Sequence, residues 1–240
     1  LEKFLLRGSE ELVNSNPDNK KKNPMYQRIW TMVYSFLMFI LVRNAVQYAL
    51  LALLYQLAQS GASGGLVDLL ILRDETGAYN GYSGDVSSII AALGFIGGAL
   101  AVWSTAKLLI TKNKEDMHLS HLKKEGKAKY ALLVAVTIGA VIGFNLLFEL
   151  LGVTNKSEAY TEVAAQQYSA HFIVGILVFG FISPIAEELL FRGVIYGYLR
   201  RFMDIKLAIA LSALIFGVYH MNYVQGVYGF LIGCLMAYAY

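Results

Sequence analysis

Ser183-Pro184-Ile185-Ala186-Glu187-Glu188-Leu189-Leu190-Phe191-Arg192 lies inside an apolar run that begins at Val163 and continues to Leu199. Between Val163 and Ala186 the run contains no Asp, Glu, Lys or Arg. A helix needs roughly 20 mainly apolar residues to cross a hydrocarbon core about 30 Å thick, so this stretch reads as a membrane span. Ionisable groups at that depth cost a few kcal/mol each by insertion scales and persist only where something compensates. The same ten residues therefore fix the class of fold and mark where chemistry is to be sought.

Flanking stretches repeat the pattern. Ile29–Ala58 is apolar except for Arg43 and a few amides, and Val86–Ala106 and Tyr130–Phe148 carry no charge. Leu207–Tyr240 is broken only by His220. As one helix it would reach about 51 Å at 1.5 Å per residue, so a turn is expected near Met221–Gly226, with a short span on either side. The sum is about six spans. Lipid satisfies no backbone hydrogen bonds, which leaves helices or a closed barrel, and long runs without polar alternation select helices. The expectation is an all-α, polytopic transmembrane bundle.

Composition agrees. The chain is 57% hydrophobic and 15% charged, against about 45–50% and about 25% in soluble domains. The lone Cys234 excludes a disulfide scaffold or a Cys-rich metal site. A net charge of +3 gives a nucleic-acid partner no electrostatic support. The lipid bilayer is the expected environment, and the bacterial cell membrane the expected location.

Loop charges give orientation. Lys20, Lys21, Lys22 and Arg28 precede the first span; Lys107, Lys112, Lys114, Lys123, Lys124, Lys127 and Lys129 lie between the second and third; Arg200, Arg201 and Lys206 follow the fourth. The intervening loops carry Asp68, Asp74, Glu75 and Asp85, then Glu158 and Glu162. By the positive-inside rule the N-terminus is cytoplasmic. Residues 1–27 read as a loosely ordered cytoplasmic tail, or as a short interfacial helix with Leu1, Phe4, Leu5 and Leu12 on its apolar face. Residues 28–240 form the transmembrane domain. The chain starts with Leu1, so its numbering is expected to begin inside a longer product.

Depth and angle single out particular side chains. Glu187 lies 13 residues before Arg200, and His220 lies 14 residues after Lys206 on an oppositely directed span. Both then sit roughly 20 Å from the inner edge, so a carboxylate and an imidazole can meet at one level. Glu188 and Arg192 are four apart and share a helix face, where they can form an ion pair. Glu187 is turned about 100° away and is left as the carboxylate free to act as a general base. Pro184 removes a backbone donor just upstream and is expected to kink or open the helix. The purely structural alternative is that Glu–Arg and Glu–His hydrogen bonds simply lock the bundle.

Glu187-Glu188-Leu-Leu-Phe-Arg192 and Phe216-Gly-Val-Tyr-His220 together resemble the CPBP family of intramembrane proteases. That family includes CAAX prenyl endopeptidases of the Rce1 type and bacteriocin-processing or immunity proteins often labelled Abi. Phe230–Tyr238 resembles the small-residue helix that follows in the family, so the resemblance covers about residues 171–240. It implies that Glu187 activates water for attack on a peptide bond and that His220 helps to bind that water or the oxyanion, with Glu188 and Arg192 in support. The family's later His-x-x-x-Asn-like motif has no counterpart before Tyr240, so the domain is expected to continue beyond it. The metalloprotease label often given to the family implies a divalent metal such as zinc, with Glu187 and His220 to hold it. A catalytic zinc wants about three protein ligands, and a metal-free glutamate mechanism fits these residues as well.

Other features carry less. Arg43 is expected to snorkel or to pair with a bundle carboxylate, its other reading being receipt of a substrate carboxylate. His118 and His121 are too few for a metal site. Gly226, Gly229 and Gly233 are read as close-packing positions. The functional expectation is an endopeptidase acting on a membrane-associated peptide or protein, CAAX-type or bacteriocin- or signal-peptide-type. The rivals are a catalytically inactive scaffold or regulator of the same fold, bound to a membrane protein partner, and a proton-coupled transporter.

Overall fold

The computed structural model describes residues 25–61, 64–116 and 126–239. The tail of residues 1–24, including the apolar face at Leu1, Phe4, Leu5 and Leu12, lies outside the described residues, as do His118 and His121.

The described residues form helices with no extended strand, only an isolated antiparallel bridge between Arg73 and Tyr79. They are α1 (Met25–Gln59), α2 (Leu66–Leu70), α3 (Gly84–Asp116), α4 (Lys127–Leu150), α5 (Glu158–Tyr168), α6 (Phe172–Leu199), α7 (Ile205–Tyr219) and α8 (Tyr223–Ala239). Contacts divide the chain into a unit of residues Leu1–Tyr34 and a unit of residues Ser35–Tyr240. The described part of the first is the opening of α1, with Trp30 exposed. The helical bundle and its candidate site lie within the second.

Helices α1, α3, α4 and α6 are long and apolar enough to cross a membrane, and α7 and α8 are shorter apolar helices. This is the expected count of about six, in an all-helical membrane bundle. The many exposed large apolar side chains, such as Leu100, Trp103, Leu132 and Phe181, belong against lipid.

One boundary differs from the sequence expectation. The apolar run from Val163 does not form one span; it breaks at 169–171, and Val163–Tyr168 belongs to the separate helix α5. The reason is local polar chemistry. Ser169 Oγ donates to Gln166 O at 2.7 Å, ending α5. The extended His171 gives its backbone N–H to Asp85 Oδ1 at 2.6 Å, and its Nδ1 lies 2.5 Å from Asp85 Oδ2. Apolarity alone could not register a tether to a residue 86 positions away.

The core is the second half of α6: every residue from Leu190 to Leu199 is buried. Close backbone approach makes room for it. Gly193 sets a would-be Cβ 3.2 Å from Ala106 Cβ on α3. A Cβ at Gly98 would lie 3.0 Å from the Phe39 carbonyl of α1, and one at Gly217 only 2.5 Å from the Gly226 carbonyl of α8. Without these small residues the helices would stand farther apart. Helix α4 differs, with no buried residue. It meets the bundle through Phe144 and Phe148, whose rings pack edge-on against Tyr228 of α8.

Around Pro184 the chain is not broken. Backbone bonding widens to the π pattern over Ile176–Ile182, returns to α over Ser183–Glu188, and widens again over Leu189–Tyr196. Pro184 stands at the start of the α segment, just after the first widened stretch. Such widened turns occur frequently at functional sites, and here they bracket Glu187 and Glu188. The turn between α7 and α8 falls at 220–222, slightly earlier than expected. Asn222 fixes it: Oδ1 accepts from the Gln225 amide at 2.8 Å while Nδ2 reaches Gln225 Oε1 at 2.6 Å, a reciprocal cap on α8.

Candidate active site

Two elements carry the candidate residues, and aromatic packing sets their relative height. The Phe191 ring of α6 meets the Phe216 ring of α7 at a centroid distance of 4.8 Å. Ser212 Oγ also donates to the Phe191 carbonyl, at 3.4 Å. Glu187 lies one turn before Phe191 and His220 one turn after Phe216. Because the two helices run in opposite directions, both steps lead the same way along the bundle. By helix geometry, positions 187 and 220 fall at comparable heights on α6 and α7.

Glu188 and Arg192 form the pair their spacing suggests, with Arg192 Nη1 3.1 Å from Glu188 Oε1. Arg192 is 1% exposed. Its Nη2 donates to the Gly233 carbonyl of α8 at 3.1 Å, and its guanidinium stands 4.9 Å from the Phe216 ring centroid. One buried cation thus fastens α6 to α7 and α8. The Glu188 side chain is 31% exposed and borders an apolar groove of about 500 Å³ between α3 and α6, lined also by Leu100, Trp103, Ile185 and Leu189. A larger cavity, about 820 Å³, lies among α4, α5, α6 and α8, and none of the four candidate residues lines it.

Glu187 is half-buried and makes no ion pair among the described residues. Of the charged side chains acting on it, Arg43 is the strongest, ahead of Glu188 and Arg192. His220 Nδ1 lies 2.9 Å from the Phe216 carbonyl. A carbonyl only accepts, so Nδ1 carries the proton, and in the neutral ring Nε2 keeps its lone pair. Gly229 makes space for that ring: a Cβ there would come within 3.3 Å of Nδ1. Asn222 Nδ2 donates to the His220 carbonyl at 3.2 Å. The next residue, Met221, has φ 59°, a left-handed conformation that costs a non-glycine residue on the order of 1 kcal/mol or more. Among the described residues Glu187 and His220 share no hydrogen bond, but both lie within the electrostatic reach of Arg43.

Sequence reasoning kept Arg43 outside the catalytic set, with receipt of a substrate carboxylate as its second reading, and passed over Tyr219. Arg43 Nη1 donates to the Tyr219 hydroxyl, and the guanidinium faces the Phe95 and Tyr219 rings at 5.0 and 5.5 Å. Arg43 thus supplies opposite charge to a bundle carboxylate through space rather than in a bonded pair. Its mid-helix position, costing about 2.5–3.5 kcal/mol by insertion scales, was the available signal. The Tyr219 hydroxyl gave none.

The described residues do not by themselves complete a metal site. Among the described residues no group of three His, Cys, Asp or Glu side chains comes together. Glu188 is engaged by Arg192, and the charge acting most strongly on Glu187 is a cation.

Residues 169–240 match the family model described as type II CAAX prenyl endopeptidase Rce1-like. Both motifs that carry the family resemblance, Glu187–Arg192 and Phe216–His220, lie within the matched residues. Neither the curated proteins nor the solved structures gave a match.

Proposed function

From the Rce1-like character of residues 169–240, we propose that the chain is a multi-pass membrane endopeptidase of CAAX type that cleaves a membrane-associated peptide with a glutamate-activated water. Glu187 takes a proton from a water that also donates to Nε2 of His220. The hydroxide adds to the scissile carbonyl carbon. The C–N bond then breaks, and Glu187 returns its proton to the leaving amine. Glu188 and Arg192 hold α6 against α7 and α8, and so fix the height of the base.

The observation that carries this reading is the Phe191–Phe216 contact, which lies one turn from Glu187 on α6 and one turn from His220 on α7 and supports a meeting of the two at one level. The π-helical turns on either side of Glu187 supply a further argument, since they loosen the backbone where water must enter. The apolar groove beside Glu188 offers a lipid-side approach for a substrate bearing an isoprenoid chain. In this reading the protease-like domain is residues 28–240 and the N-terminus is cytoplasmic.

Glu187→Gln is the test. It keeps size and hydrogen-bonding capacity but cannot take the proton. Purified variant should elute as a folded protein and cleave a prenylated CAAX peptide at least about 100-fold more slowly, the scale of general-base catalysis. Cleavage at the unmodified rate would reject the assignment.

A further inference from the structure

We propose that Arg43 is a substrate-binding residue that receives the free α-carboxylate at the end of the peptide. The inference rests on the reading of Glu187 as the base.

The argument begins with what Arg43 touches. It sits mid-way along α1, a helix long and apolar enough to cross the membrane. Its contacts are neutral: the Tyr219 hydroxyl on Nη1, the neighbouring Asn44 Oδ1 at 3.4 Å from Nε, and the faces of Phe95 and Tyr219. Among the described residues no ion pair includes it. Arg192, the other cation at this depth, shows the contrast, being fully enclosed and paired with a carboxylate on its own helix. Arg43 is instead half-buried, and its contacts leave Nη2 unused. A planar guanidinium with a free edge matches a carboxylate in two parallel hydrogen bonds.

Position supplies the second argument. Arg43 acts on Glu187 more strongly than any other charged side chain and acts on His220 as well. Helix α1 packs beside α6 and α7 through Phe36, whose ring lies 6.3 Å from that of Phe191 and 6.2 Å from that of Tyr219. Packed helix axes stand about 8–10 Å apart. An extended peptide covers about 3.3–3.6 Å per residue, so two or three residues bridge that gap. A peptide with its scissile carbonyl at Glu187 can thus place a terminal carboxylate at Arg43. Tyr219, adjacent in sequence to His220, holds the guanidinium and ties the terminus-binding group to the imidazole.

The test compares one prenylated CAAX peptide in two forms, with a free C-terminal carboxylate and with a C-terminal amide. Binding is measured on Glu187→Gln, so the result does not depend on turnover. The acid form should bind about 10- to 100-fold more tightly than the amide, as a charge-assisted pair requires. In Glu187→Gln/Arg43→Met that preference should fall to near onefold, and Arg43→Lys, which keeps the charge but not the fork, should restore part of it. Equal binding of acid and amide to Glu187→Gln overturns the proposal, as does a full preference surviving in the Arg43→Met background. If the Met variant fails to fold, an undiminished preference in the Lys variant still overturns it. A base assignment that fails shows up separately, as cleavage by Glu187→Gln.

Discussion

At the residue scale, adjacent glutamates have been given opposite duties by one helical step. Glu188 is spent on its ion pair with Arg192; Glu187, about 100° around, makes no ion pair among the described residues. Breaking a buried pair from one side is far worse than never having it, because the survivor is left uncompensated. Arg192 is enclosed while Glu188 is partly open, so the two partners should not be equivalent. Glu188→Ala strands the enclosed Arg192 cation without its carboxylate and should destabilise the protein by about 3–5 kcal/mol. Arg192→Met leaves Glu188, which unlike a guanidinium can take up a proton and become neutral, and should cost less. Unfolding of the detergent-solubilised variants, followed by circular dichroism, measures both; equal losses would contradict this division of roles.

At the element scale, the α7–α8 hairpin is a tight pairing built on absent side chains. Gly217 meets the Gly226 carbonyl, and Gly233 meets Ala213, with a would-be Cβ 3.1 Å from Ala213 Cα. Backbone cannot swing aside as a side chain can. Gly217→Ala should therefore cost about 1–3 kcal/mol, as overpacking does, and should also lower activity by shifting His220, three residues on. Gly139 of α4 has nothing within 4 Å of its would-be Cβ. Gly139→Ala should be neutral or slightly stabilising, since alanine is the better helix former by up to about 1 kcal/mol. Thermal unfolding of the two variants side by side checks the pair. Likewise α6 owes its form to a compromise. Pro184 withholds one donor, and the backbone bonding widens to the π pattern on either side of the segment that holds it. The proline was legible as a disturbance; the change of hydrogen-bond register around it was not.

At the scale of the whole molecule, charge alternation along the chain predicts an orientation that packing leaves open. Cysteines introduced singly at Phe202, beside the basic pair Arg200 and Arg201, and at Ala78, with Cys234 replaced, should differ in reactivity toward a membrane-impermeant thiol reagent added to intact cells. Ala78 should label from outside, and Phe202 only after permeabilisation. The reverse pattern would invert the topology.

The sequence by itself determined the membrane class, the approximate number of helices and the Glu188–Arg192 pair, because these depend on apolar length and on spacing within one helix. It also predicted comparable depths for Glu187 and His220, because helical rise converts spacing from the basic loop into height. Tertiary structure alone decided the break at 169–171, where Asp85 on α3 captures His171. It alone decided the enclosure of Arg192 under Phe216 and Gly233, and the place of Arg43 beside Tyr219. Those outcomes turn on which faces of different helices meet, and rotation about a helix axis is fixed by packing partners far away in the chain.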